Sequence, residues 1–166
     1  MAISGVDIGR STESDLTSIL ELQAANQPEL GGLLSAELPG ARVEEMMRAM
    51  PLIVARRNGR VVAFLMNSPR EMNDDVPVIR AMLDAYPGTP DAYVYGPICV
   101  SEEERGKGLA QAMLAELRRR EPGREGVLFI RRDNSASLRA HAKMGMREMA
   151  DFVFDGEDYV ALSNIG

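Results

Sequence analysis

The residues best suited to chemistry by type and spacing are Arg105-Gly106-Lys107-Gly108-Leu109-Ala110, between a β-prone run and an amphipathic helical run. The first turn of a helix has amide N–H groups without intrahelical partners, and they carry the positive end of the helix dipole. Glycines let an anion approach the backbone closely, and Arg105 and Lys107 add positive charge. The spacing therefore predicts a phosphate cradle. Neither common nucleotide loop fits it. G-x-x-x-x-G-K-[ST] fails because Ser101 stands where the first glycine should be and Gly108 where Ser or Thr should be. The dinucleotide pattern G-x-G-x-x-G would need glycine at Gln111. The plainer reading is a flexible turn with solvated basic residues.

The strand leading into this turn carries Gly96-Pro97. Proline cannot donate to a sheet ladder, so a central strand with this pair must bulge or splay from its neighbour. Splaying leaves the N–H and C=O groups of Ile98, Cys99 and Val100 without sheet partners, and an extended amide-bearing ligand can supply them. An edge strand with its proline facing water is the alternative.

Ile98-Cys99-Val100, four residues, then Arg105-Gly106-Lys107-Gly108-Leu109-Ala110 resembles the cofactor motif R/Q-x-x-G-x-G/A of the GCN5-related N-acetyltransferases. Asn134 to Met146 (NSASLRAHAKMGM) resembles that superfamily's second motif, N-x-x-[AS]-x-x-L-Y-x-x-x-G-F. The close resemblance covers residues 92–146. It implies acetyl-CoA as cosubstrate, with no metal, and transfer of acetyl to a primary amine of a small molecule or peptide. It also implies that backbone groups of Ile98, Cys99 and Val100 hold the pantetheine arm and thioester carbonyl. The backbone from Gly106 through Lys107, Gly108, Leu109 and Ala110 to Gln111 would wrap the pyrophosphate, beside Arg105. Asn134 would bond the pantetheine arm, with Ser137 nearby; Asn134 is equally suited to cap the helix that follows it.

Acetyl transfer needs a neutral amine, a polarised thioester carbonyl and a proton for the departing thiolate. A strand N–H aimed at the developing oxyanion supplies polarisation, and holding both substrates in line supplies much of the rate. His141 stands where the superfamily usually has a tyrosine. An imidazole suits acid–base work, so His141 is the candidate general acid. Its helix face also holds Leu138 and Ala142, which makes a neutral core histidine the competing reading. Some members place a glutamate base five residues before the motif asparagine; here that position is Phe129. Glu104, the last of three glutamates before the loop, is the candidate base, against a reading of solvated surface. Cys99 raises a covalent route, but nothing basic lies beside it in sequence.

These residues need elements to place them. Residues 4–10 are predicted as a first strand. Thr12 and Asp15 form a capping box ahead of a helix with Leu16, Ile19, Leu20 and Ala24 on one face. A second helix carries Val43, Met46, Met47 and Met50 and stops at Pro51. Asn58-Gly59 and Asp155-Gly156 signal hairpins. Within the 67–91 insertion, Pro77 opens a short helix with Ile79, Met82, Leu83 and Tyr86 along one side; its role is either a pocket lid or decoration. Residues 92–100 read as strand and 107–120 as helix. The run 127–130 reads as a strand covered on both faces, and 135–144 as helix. The expected fold is one α/β domain over 1–166, the acyl-CoA N-acyltransferase fold. It has a mixed, mainly antiparallel seven-stranded sheet, splayed between strands 4 and 5, with helices on both faces.

A net charge of −6 and a lone Arg118-Arg119-Arg120 run at a helix end argue against a nucleic-acid partner. No apolar run reaches the length of a membrane span, and the N-terminus lacks a secretory pattern. A single cysteine fits a reducing, cytoplasmic setting. The sequence leaves monomer and homodimer open. Two rivals remain: a non-catalytic acyl-CoA-binding module of the same fold, and a nucleotide-binding regulator, which leaves 134–146 unexplained. Acceptor choice is expected to lie in 26–45, the 67–91 insertion and the 151–158 hairpin.

Overall fold

A computed structural model describes residues 5–26 and 38–165. Ser4, expected in the first strand, and 27–37, part of the segment expected to govern acceptor choice, lie outside the described residues. Seven strands form a sheet in the order β1-β2-β3-β4-β5-β7-β6. They are β1 (Val6–Arg10), β2 (Ile53–Arg57), β3 (Arg60–Pro69), β4 (Tyr93–Val100), β5 (Gly126–Arg131), β6 (Arg147–Phe154) and β7 (Glu157–Ser163). The helices are α1 (Leu16–Ala25), α2 (Gly40–Ala49), α3 (Pro77–Ala85), α4 (Leu109–Arg120) and α5 (Ser135–Lys143). The chain divides into two compact units, one of Met1–Asn67 with Gly96–Pro122, the other of Ser68–Tyr95 with Gly123–Gly166.

In the first unit the capping box forms: the Thr12 N–H donates to Asp15 Oδ2 at 2.7 Å. Asp15 also accepts from Arg56 Nε at 3.0 Å, which fixes the start of α1 to β2. The buried face of α1 differs from the sequence reading, since Ile19 and Gln23 are buried and Ala24 is exposed. Gln23 is tolerated there because its amide closes a ring with the Leu38 backbone. Nε2 donates to the carbonyl and Oε1 accepts from the N–H, both at 2.8 Å. Helix α2 buries Val43 and Met46. Asn58 and Gly59 both take positive φ, as a two-residue hairpin requires. Consecutive residues Ala63 to Met66 are all fully buried, so both faces of β3 are covered. Helix α4 packs against β1 and β2 through Leu109, Met113, Leu114 and Leu117.

In the second unit β5, β7 and β6 form an antiparallel ladder, with Phe129 opposite Ala161 and Phe152 opposite Tyr159. Helix α3 is the one expected inside the insertion, and it lies on this ladder. Met82 is fully buried with Ala92, Val94, Val127 and Ala161, and Ile79, Leu83 and Tyr86 pack around them. Glu125 pins the segment that follows α3. Its carboxylate accepts from Tyr86 Oη at 2.7 Å, the Thr89 N–H at 2.7 Å and Ser163 Oγ at 2.5 Å. The insertion is therefore anchored at both its helix and its return loop.

Candidate functional site

In the second unit β4 runs parallel to β5 for two pairs, Tyr93 with Gly126 and Val94 with Val127. Tyr95 comes next, and then Gly96 and Pro97, joined by a cis peptide bond. The β4–β5 pairing thus ends at Val94, with one residue between it and the glycine–proline pair. Ile98 and Val100 are partly exposed, and Cys99 is buried between them. Burial pushes the Cys99 thiol up to about 12 despite the Arg105 charge, so it stays protonated near neutral pH and is a poor nucleophile.

In the first unit, the turn after β4 departs from the predicted helix start. The helix begins at Leu109, not 107, because Gly106 and Gly108 take φ of +79° and +85°, which an α-helix cannot contain. A Cβ added at either glycine would meet no heavy atom within 4 Å, so open space lies in front of the loop. The first intrahelical bond runs from the Ala112 N–H to Gly108 O at 3.1 Å, which leaves the amides of Leu109, Ala110 and Gln111 at the free helix end. Ser101 Oγ, at the end of β4, is buried without a hydrogen-bond partner. An exposed glycine turn, open space and a free helix end fit a pyrophosphate.

The basic residues of the turn are otherwise engaged than by phosphate. Arg105 folds back, its Nη2 donating to Asn26 Oδ1 at 2.7 Å and its Nε to Val100 O at 3.2 Å. Lys107 Nζ lies 3.3 Å from Glu104 Oε1. Glu104 is buried, and Arg57 Nε and Nη2 donate to its two oxygens at 2.8 and 3.0 Å. The Arg57 hydrogen bonds hold this carboxyl below the usual carboxylate range. A carboxylate so paired resists taking a proton, and it serves more readily to fix Arg57 and Lys107 beside the loop. Sequence reading missed Arg57 and Asn26, which lie 47 and 79 residues from their partners and carry no local signal.

In the second unit Asn134 caps α5, its Oδ1 accepting from the Ser137 N–H at 3.2 Å. That cap leaves the Asn134 Nδ2 donors unused by the helix. His141, one turn on from Ser137, is buried. Its Nδ1 lies 2.8 Å from Ser137 O, which can only accept, so the ring proton resides on Nδ1. Nε2 is then an acceptor, 3.4 Å from Tyr95 Oη, with the two rings meeting edge-on. Burial pushes His141 below its ordinary value, against the opposing pull of the Ser137 carbonyl. The ring is neutral near pH 7, with no proton on Nε2. Tyr95 was not singled out from sequence.

Among the described residues no group of three or more His, Cys, Asp or Glu could hold a metal ion, and no helix is long and apolar enough to cross a membrane. Residues 17–146 match the model of the acetyltransferase (GNAT) family. A search of curated proteins finds no match. Among solved structures, a GNAT-family acetyltransferase from Streptococcus agalactiae is 16% identical with a TM-score of 0.74, covering 100% of this chain and 98% of its own. The ribosomal-protein-S18-alanine N-acetyltransferase of Escherichia coli is 16% identical with a TM-score of 0.66, over 95% of this chain and 92% of its own. Arabidopsis thaliana NAA60, solved with acetyl-CoA, is 14% identical with a TM-score of 0.68, over 95% and 97%. These likenesses show the fold, and the family match, spanning most of the chain and both motifs, shows membership: this chain belongs to the GNAT family of acetyltransferases.

Proposed function

We propose that this protein transfers acetyl from acetyl-CoA directly to a primary amine of a small molecule or peptide. The observation that carries the reading is the Gly106–Gly108 turn, left-handed at both glycines, open in front and leading into the free end of α4. In this reading the amides from Gly106 to Gln111 bind the pyrophosphate of acetyl-CoA, which brings the activated acetyl group. Backbone groups of Ile98, Cys99 and Val100 pair with the pantetheine arm, and one of their N–H groups polarises the thioester carbonyl. Asn134 adds a side-chain donor, beside Ser137. Fold neighbours named for alanine N-acetylation or solved with acetyl-CoA support amine transfer. The protonated Cys99 thiol supports direct attack by the amine over an acetyl-cysteine route.

Proton handling in this reading is modest. Glu104 acts through its ion pairs as a positioning residue. The acceptor arrives neutral or loses its proton through water. Neutral His141 orders α5 and Tyr95 and is not the thiolate's acid; as the C–N bond forms and the C–S bond breaks, the proton shed by the attacking amine reaches the departing CoA thiolate through water. The test is thiol release from acetyl-CoA across a broad panel of primary amines, run with a thermal-shift titration of acetyl-CoA. Turnover with at least one amine and a saturable rise in Tm are expected. No shift at saturating acetyl-CoA overturns the cofactor assignment. A clear shift with no turnover across the panel favours the non-catalytic module, the reading that His141 and Glu104, both already engaged, would suit.

A further inference from the structure

We propose that Asn26 and Arg105 form a brace that positions the end of β4 for the pantetheine arm, and that Arg105 is not a phosphate ligand; this rests on the acetyl-CoA reading above. All of the groups concerned belong to the first unit. Asn26 is the C-cap of α1 and is buried. Its N–H donates to Gln23 O at 3.2 Å and its Nδ2 to Leu22 O at 2.9 Å. With Nδ2 turned to the helix, Oδ1 is left for a partner outside it, and a buried amide oxygen needs a donor. Arg105 Nη2 is that donor, at 2.7 Å. The guanidinium thereby also sits at the carbonyl end of α1, where the helix dipole is negative.

The same guanidinium reaches the strand. Its Nε donates to Val100 O, the last carbonyl of β4, at 3.2 Å. A tight turn over 102–104 makes this reach possible. The Glu104 N–H donates to Ser101 O at 3.0 Å and the Arg105 N–H to Glu102 O at 3.4 Å, which folds the chain back on its own strand end. Ser101, the next residue, donates its N–H to Val62 O at 2.9 Å, so β3 and Arg105 together hold that end. Holding the Val100 carbonyl fixes the peptide plane that closes the strand. Such an anchor matters here because Ile98 to Val100 follow Gly96-Pro97, a pair that weakens a ladder.

Phosphate binding would work against this arrangement. Turning Arg105 toward a phosphate breaks both bonds and leaves Asn26 Oδ1 buried without its donor, a penalty that opposes the binding it would serve. The amides from Gly106 to Gln111 can receive a pyrophosphate without any side chain. Charge is therefore the lesser part of what Arg105 contributes. The larger part is its fork, which meets a helix cap with one arm and a strand carbonyl with the other.

The experiment measures KM and kcat for acetyl-CoA, and kcat/KM for S-acetylpantetheine, which lacks the pyrophosphate. It uses one responding amine with wild type, Asn26→Ala, Arg105→Ala and the double variant. Each single variant should raise KM for acetyl-CoA about fivefold or more, with kcat within about twofold of wild type. For S-acetylpantetheine kcat/KM should fall by the same factor, and the double variant should be no worse than the worse single one. A loss in Arg105→Ala confined to acetyl-CoA makes the guanidinium a phosphate ligand and overturns the brace. Losses that multiply in the double variant, or an unchanged KM in Asn26→Ala, also overturn it. Should Asn26→Ala fail to fold, Arg105→Ala decides alone, because residue 105 is exposed. An equal loss with both thioesters then supports the brace, and a loss with acetyl-CoA only, or none, overturns it. If no amine turns over, calorimetric affinity for acetyl-CoA decides: losses that fail to add across the two single variants support the brace, and additive losses or none overturn it. A wild type that binds no acetyl-CoA overturns the cofactor reading and the brace with it.

Discussion

Replacing Gly108 by alanine separates the folding of the cofactor loop from its binding. Gly108 holds φ at +85°, and a Cβ there would touch nothing within 4 Å. The folding cost is then the left-handed strain of an L-residue, about 1–2 kcal/mol, or about 2–8 °C in Tm for a chain of this length. The methyl group projects into the open space that the phosphate oxygens would enter, so a loss of about a hundredfold in affinity is expected, about 2.7 kcal/mol. At acetyl-CoA a hundredfold above the wild-type Kd, ligand stabilises wild type by about 2.7 kcal/mol. At the same concentration it stabilises the variant by only about 0.4 kcal/mol. The missing increment, about 2.3 kcal/mol, corresponds to about 5–9 °C of ligand-induced shift. Differential scanning calorimetry of both proteins with and without acetyl-CoA reads both numbers. A variant that folds and keeps the full ligand-induced shift would refute the placing of the phosphates at this loop.

Two further perturbations test residues beyond the loop. His141→Gln should lower stability by about 1–2 kcal/mol through loss of the Ser137 bond and the Tyr95 ring contact, yet change thiol release less than tenfold. A drop near a hundredfold in rate would instead assign His141 as the acid. Because burial lowers the folded value below the unfolded one near 6.5, its contribution is complete above that pH and is lost as pH falls through the folded value. The variant should lack that limb of the stability profile. Glu125→Ala strips the partner from Tyr86 Oη, Ser163 Oγ and the Thr89 N–H. Only Ser163 remains deeply buried, so a cost of about 2–4 kcal/mol is expected, read as a Tm loss of about 4–16 °C. A change under about 1 °C would show that α3 and its return loop do not depend on this carboxylate.

The elements legible in advance are those whose cause is local. Asn58-Gly59 and Asp155-Gly156 turn the chain because those residues accept positive φ, and both hairpins stand where the pairs predict. Gly106 and Gly108 turn the chain for the same reason, and they also delay the helix start to Leu109, which the hydrophobic spacing alone did not register. The apolar stripe of 77–86 specified α3, but it could not say whether that helix would be a lid or would pack; Met82 had to find Val94, Val127 and Ala161 on distant strands. Gln23 was missed as a buried position because its stability there depends on Leu38, outside its own helix.

The sequence by itself determined the family, the strand–helix order and the location of the glycine loop, since short motifs and backbone preferences act over a few residues. Tertiary structure alone decided which partners the side chains around them meet. Arg57 donates to both Glu104 oxygens, and His141 meets Ser137 O through Nδ1 and Tyr95 Oη through Nε2, contacts that no spacing in the sequence announces. The aromatic face is the clearest case. Phe129, Phe152, Phe154 and Tyr159 are brought together by the strand order β5-β7-β6 and its register. Pairing partners are set by the energy of the assembled sheet and not by any one strand, so a ring cluster built across three strands has no signature in the sequence of any of them.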